Sequence, residues 1–172
     1  MPLPAPTYFR APTHFWNYYE VSNSVELANA LYVIDIDGDG DNDVVSDKFD
    51  NSGKVFWHEN LDGSGRSWTR NTIAYDQAKV SAIDLDGDGD VDVLSASLKN
   101  NQIDWHENLD GSGGSWSTQT IYSGGSSARA VSAIDVDGDG DCGVITGSYG
   151  SARQATPPWW LTPTPRARLE WP

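Results

Sequence analysis

Three stretches of this 172-residue chain crowd carboxylates onto one tight turn: VIDIDGDGDNDVV at 33–45, AIDLDGDGDVDVL at 82–94 and AIDVDGDGDCGVI at 133–145. Numbered from the first aspartate, each reads D-x-D-G-D-G-D, and the first two continue to a further aspartate at position 9. Carboxylates at positions 1, 3, 5 and 9 converge if the backbone turns sharply at position 6, where glycine tolerates a positive φ. Position 7 then offers its carbonyl oxygen. The donors are hard oxygens without nitrogen or sulfur, which favours Ca²⁺ over zinc or copper. Magnesium fits less well, because its near-ideal octahedron keeps several waters where this loop offers many carboxylates. Without a cation the like charges repel, and a bound ion converts that repulsion into folding energy.

The bulk charge says the same. Net charge is −14, from 11 basic and 25 acidic residues. The three loops hold fourteen aspartates, so they account for the whole excess. Charge gathered at sites is unlike a disordered acidic tail. Nucleic acid and anionic membrane are poor partners for such a surface, and cations are good ones. Cys142 is the single cysteine, which rules out an intrachain disulfide. There is no run of 18 apolar residues to span a membrane. The opening MPLPAPTYFRAPTHF has no apolar stretch of the secretory-signal kind.

The elements that carry these loops repeat. Asp35, Asp84 and Asp135 are 49 and 51 residues apart, and WHENLDGSG occurs at 57–65 and again at 105–113. Trp16, Trp68 and Trp116 each precede a loop, so three markers keep one order at one period. In the second unit, AKVSAI at 78–83 reads as a strand entering the loop and VDVLSAS at 91–97 as a strand leaving it. NQIDWHE at 101–107 alternates, NLDGSGGS at 108–115 is a turn by composition, and WSTQTIY at 116–122 is a fourth strand. Four short strands, tight turns and no helical period predict an all-β chain of propeller blades, with a β-sandwich as the rival.

The expected units run over about 28–74 and 78–122, with an incomplete third at 129–148. They lie within a repeat region at 14–148 whose first strand, 14–19, would close a preceding unit. A proline-rich start at 1–13 and a tail at 149–172 read as irregular. In that tail the pattern calls for another IDWHEN and finds SARQATPPWWLTPTPRARLEWP instead, as truncation, a frame shift or a divergent linker would give. Two and a half blades are fewer than the four to eight that close a ring.

EF-hand loops share the first half of this pattern but need a bidentate Glu at position 12 and flanking helices. Position 12 here is Ser46, Ser95 or Thr146, between strand-like flanks, so that reading fails. The loop followed by W-x-E-N-x-D-G resembles instead the repeat of the FG-GAP/VCBS family, which includes integrin alpha-subunit propellers and certain lectins. The Phe-Gly and Gly-Ala-Pro signatures are missing, which favours the VCBS-like branch. The resemblance implies a calcium ion in each loop between the first and second strands of a blade, and a seven-bladed ring in a complete member. By position it implies a first site at Asp35, Asp37, Asp39, the Asp41 carbonyl and Asp43. The second is Asp84, Asp86, Asp88, the Asp90 carbonyl and Asp92. The third keeps Asp135, Asp137, Asp139 and the Asp141 carbonyl, but Gly143 replaces the last carboxylate, so it should be weaker.

Other residues invite sharper readings and receive bland ones. His58 and His106 fall on the strand face away from Trp57 and Trp105, which predicts solvent-facing or inter-blade rings. Trp57, Trp105, Trp68 and Trp116 could stack on sugars, although repeat-locked aromatics more often pack between blades. Cys142 has no partner at metal spacing and reads as an inert thiol. Neither G-x-S-x-G nor H-E-x-x-H occurs, and the paired carboxylates are committed to the loops. The sequence therefore predicts a non-catalytic calcium-binding module for adhesion or for recognition of a carbohydrate or protein ligand. By resemblance it belongs outside the cell or at its surface. The alternatives are a fragment of a propeller-containing hydrolase or lyase, and a calcium-stabilised spacer. Uncovered blade faces at both ends predict self-association.

Overall fold

A computed structural model describes residues 20–22, 28–48, 53–75, 79–123, 128–136, 138, 140–148 and 151–155. The described residues are all strand, turn and loop, in three antiparallel sheets that follow one another along the chain. The first sheet is β1 (Leu31–Ile34), β2 (Asp43–Lys48), β3 (Lys54–Asn60) and β4 (Trp68–Tyr75), side by side in chain order. The second repeats it with β5 (Val80–Ile83), β6 (Asp92–Ser97), β7 (Gln102–Asn108) and β8 (Trp116–Ser123). The third has β9 (Ala128–Ile134), β10 (Gly143–Ser148) and β11 (Ser151–Ala155). This is a partial, open β-propeller, with each aspartate loop between the first and second strands of its blade.

β11 continues regular pairing into the stretch that the sequence marks as irregular, from Ser148↔Ser151 to Val144↔Ala155. Its residues, SARQA, carry none of the apolar markers of the earlier third strands. The open edge of β10 supplies backbone partners whatever the side chains are, so composition alone misses it. The expected strand at 14–19, Trp16 and the tail from 156 onward lie outside the described residues.

Register explains how the blades stack. On one face of the first blade, Val45, Val55, Trp57 and Ala74 pack with Ile36 against Val80, Ala82 and Val93 of the second. The second blade repeats the arrangement, with Leu85, Leu94, Ala96, Ile103 and Trp105 against Ala128, Val131 and Val144 of the third. The core therefore lies between blades, and Trp57 and Trp105 are its largest pieces. Both indoles are buried, so these two serve packing and not sugar stacking. Trp116 also packs on the first junction, while its counterpart Trp68 is half-buried.

Polar latches fix the same junctions. Asp47, fully buried, accepts from the backbone N–H groups of Asn29 and Ala30 in its own blade and from Lys79 N (3.1 Å) in the next. Trp57 lies so close to the second blade's turn that a Cβ on Gly113 would stand 2.5 Å from its Cζ3. Gly113 also has φ +67, which a side chain resists. Gly113→Ala should cost about 2–3 kcal/mol from overpacking and strain together. Chemical denaturation checks this, and a cost below about 0.5 kcal/mol would deny the contact.

Candidate metal centre

Each aspartate loop is shaped by its own carboxylates. Asp35 accepts from Gly38 N through Oδ1 (2.9 Å) and from Gly40 N through Oδ2 (3.0 Å). Asp37 Oδ1 accepts from Asp39 N (3.2 Å), and Asp39 Oδ1 from Asp41 N (2.8 Å). The second loop reproduces all four bonds: Asp84 takes Gly87 N (2.8 Å) and Gly89 N (3.1 Å), Asp86 takes Asp88 N (3.2 Å), and Asp88 takes Asp90 N (2.9 Å). The third shows the Asp135 pair, from Gly138 N (2.7 Å) and Gly140 N (3.0 Å). Two glycines per loop have positive φ, +74 and +96 in the first and +80 and +99 in the second. Position 6 was expected to need this conformation. Position 4 needs it as well, because the first aspartate draws in both N–H groups.

Asp35, Asp37 and Asp39 present carboxylate oxygens within 4.8 Å of one another, as do Asp84, Asp86 and Asp88. Either group could hold a metal ion. Like charge and burial already show in their titration. Burial pushes Asp37 above the ordinary carboxylate range, with the Asp43 and Asp39 charges adding to it and the Asp39 N–H opposing. Asp86 is raised in the same way, first by burial and then by Asp88 and Asp84, against the Asp88 N–H.

The remaining expected ligands sit differently. Asp43 is buried and accepts from Ile36 N (3.1 Å), Trp57 Nε1 (3.0 Å) and Asn60 N (2.8 Å), which tie the loop to the third strand. Asp92 likewise takes Leu85 N (3.3 Å) and Asn108 N (2.9 Å), and burial raises it to about 6 against those donors. The Asp41 and Asp90 carboxylates lie against Gly63 and Gly111 of the following turns, where a Cβ would overlap them. In the third loop Asp137 and Asp139 lie outside the described residues, and Asp141 is exposed.

Asn60 and Asn108 each connect loop and turn, and Asn108 also the neighbouring blade, a role the sequence reading misses although both stand in the repeated WHENLDGSG. Asn108 Oδ1 accepts from Gly113 N (3.1 Å), and its Nδ2 donates to Ile36 O (3.2 Å) in the preceding blade's loop. The Cys142 thiol makes a similar reach to Asp84 O (3.8 Å). Burial, then the charges of Asp135, Asp84 and Asp141, push that thiol upward, so it stays protonated.

The histidines are not solvent-facing. Both are buried, because position 12 of each loop supplies a hydroxyl: Ser46 Oγ lies 2.9 Å from His58 Nε2 and Ser95 Oγ 2.8 Å from His106 Nε2. Thr118 Oγ1 meets His106 Nδ1 at 2.9 Å. At His106 the two hydroxyls satisfy the neutral ring's one donor and one acceptor in either tautomer, whereas His58 has Ser46 alone and its buried Nδ1 has no hydrogen-bond partner among the described residues. Burial pushes both rings down to about 4, Arg70 adding to this at His58 and Asp104 opposing it at His106. These folded values lie below the unfolded 6.5, so each neutral ring's contribution is complete above 6.5. It is lost as pH falls from there towards about 4, at about 1.4 kcal/mol per pH unit for His106. Imidazole NMR should show both rings neutral at pH 5.5, and ordinary titration near 6.5 would contradict their burial.

Two segments, residues 35–95 and 84–142, match the FG-GAP-like repeat, each spanning one aspartate loop, the blade strands after it and all or nearly all of the next loop. The chain belongs to the FG-GAP-like repeat family. No curated protein and no solved structure matches it. The FG-GAP-like assignment agrees with open antiparallel blades and places each aspartate loop inside a repeat unit. No helix among the described residues is long and apolar enough to cross a membrane.

Proposed function

We propose that the chain is a non-catalytic, calcium-binding β-propeller repeat module that serves adhesion or recognition of a carbohydrate or protein ligand. One observation carries the calcium reading: each of two loops gathers three carboxylates within 4.8 Å on a turn held by its own N–H groups. Oxygen donors at that density suit a large, hard cation. Under this reading Asp35, Asp37 and Asp39 hold the first ion with the Asp41 carbonyl and Asp43. Asp84, Asp86 and Asp88 hold the second with the Asp90 carbonyl and Asp92. Asp135, Asp137, Asp139 and the Asp141 carbonyl form a weaker third. Calcium sites of extracellular modules work at roughly 10⁻⁴–10⁻³ M, which suits a location outside the cell or at its surface.

The test is thermal unfolding in millimolar calcium, millimolar magnesium and EDTA, paired with a glycan array in the same buffers. Calcium should raise the melting temperature by several degrees more than magnesium, and any glycan signal should vanish in EDTA. Equal melting in all three buffers would remove the calcium reading. A glycosidase panel active in calcium would remove the non-catalytic one.

A further inference from the structure

The blade junction is a repeated interface, and its two halves are both exposed at the ends of the array. Leu31 and Val33 on β1 hold the places that Val80 and Ala82 hold on β5. Val80 and Ala82 are buried under the first blade, yet Val33 is 60% exposed where Ala82 is 1%. At the opposite end Ile134, Val136 and Ile145 hold the places of Ile83, Leu85 and Leu94. Leu94 is 1% exposed under the third blade, whereas Ile145 is 42% exposed and Ile134 and Val136 more so. The third blade thus presents the face that the second uses to receive its neighbour, and the first presents the face that would dock there.

We infer that a second copy of this chain occupies these faces, head to tail, with Ile134, Val136 and Ile145 of one protomer covering Leu31 and Val33 of its partner. The continuity with the internal junctions argues for this occupant, because Leu31, Val33, Val136 and Ile145 each have a buried counterpart inside the same chain and Ile134 a partly buried one, Ile83. A polar latch is also in place: Asn60 holds Asn108's position, and in a partner it would donate to the Val136 carbonyl as Asn108 does to Ile36 O. A head-to-tail interface closes when the rotations sum to a full turn. The described residues of two copies supply six sheets, inside the four to eight of closed propellers, and those of three would exceed it. The expected assembly is a closed dimer. It goes beyond the calcium reading and does not depend on which ion the loops hold.

Light scattering of the full chain during size exclusion in calcium should give about twice 18.7 kDa. Val33→Lys and Ile145→Lys change side chains that are exposed on the single chain, so each should keep the wild-type β-sheet circular dichroism spectrum. Each alone should fall to monomer mass, since both junctions of the ring need both faces. Mixed, they retain one intact junction and should return a dimer containing one of each. A monomeric wild type, an open polymer that grows with concentration, or a single variant that stays dimeric would overturn the proposal, the last because it would mean that like faces pair.

Discussion

Trp105→Ala should destabilise the chain by about 3–5 kcal/mol, the range for emptying a buried aromatic site. Trp105 is buried at the centre of the junction between the second and third blades, among Leu94, Ile103, Val131 and Val144. Those neighbours belong to two sheets, so the cavity would open between blades and could not be closed by one sheet relaxing. Trp68→Ala is the internal control. Its ring is half-buried and outside both junction cores, and its Nε1 donates only to its own turn, at Gly65 O (2.9 Å). It should cost less than half as much. Equal losses by urea unfolding would show that the core does not lie between blades.

Asp84→Ala should have an effect that depends on calcium. In EDTA the substitution removes one of several repelling carboxylates and frees two exposed glycine N–H groups to water, so the two effects oppose. With calcium at 100 times the dissociation constant, a site contributes about 2.7 kcal/mol by mass action, and this variant should lose that much. His106→Ala should destabilise in both buffers, because it leaves Ser95 and Thr118 facing a cavity. A loss for Asp84→Ala that was the same with and without calcium would make the carboxylate a turn-former only.

Much of this was legible before any coordinates. The 49-residue spacing and the WHENLDGSG repeat placed β5 to β8 within a residue or two, because turn glycines and β-branched runs mark local geometry directly. The two groups of three aspartates followed from one loop's internal spacing. What escaped was non-local. The burial of His58 and His106 depends on hydroxyls across the sheet, at Ser46 and Ser95, whose pairing no period reveals. Asp47 has no acidic counterpart at Ala96, so its latch onto Lys79 lay outside the repeat signal. β11 formed on a backbone edge without a side-chain pattern. The second positive-φ glycine was present in every loop as D-G-D-G, but only the fold shows that Asp35 or Asp84 grips both N–H groups.

The most direct test of the calcium reading is isothermal titration of the metal-free chain with Ca²⁺, repeated on an Asp35→Ala, Asp84→Ala double variant. Two sites of similar affinity and a third weaker one are expected in the wild type, because Gly143 stands where Asp43 and Asp92 contribute a carboxylate. The double variant should keep the weak site alone. Three equal sites, or a double variant that still binds two ions, would contradict the assignment of the aspartate loops.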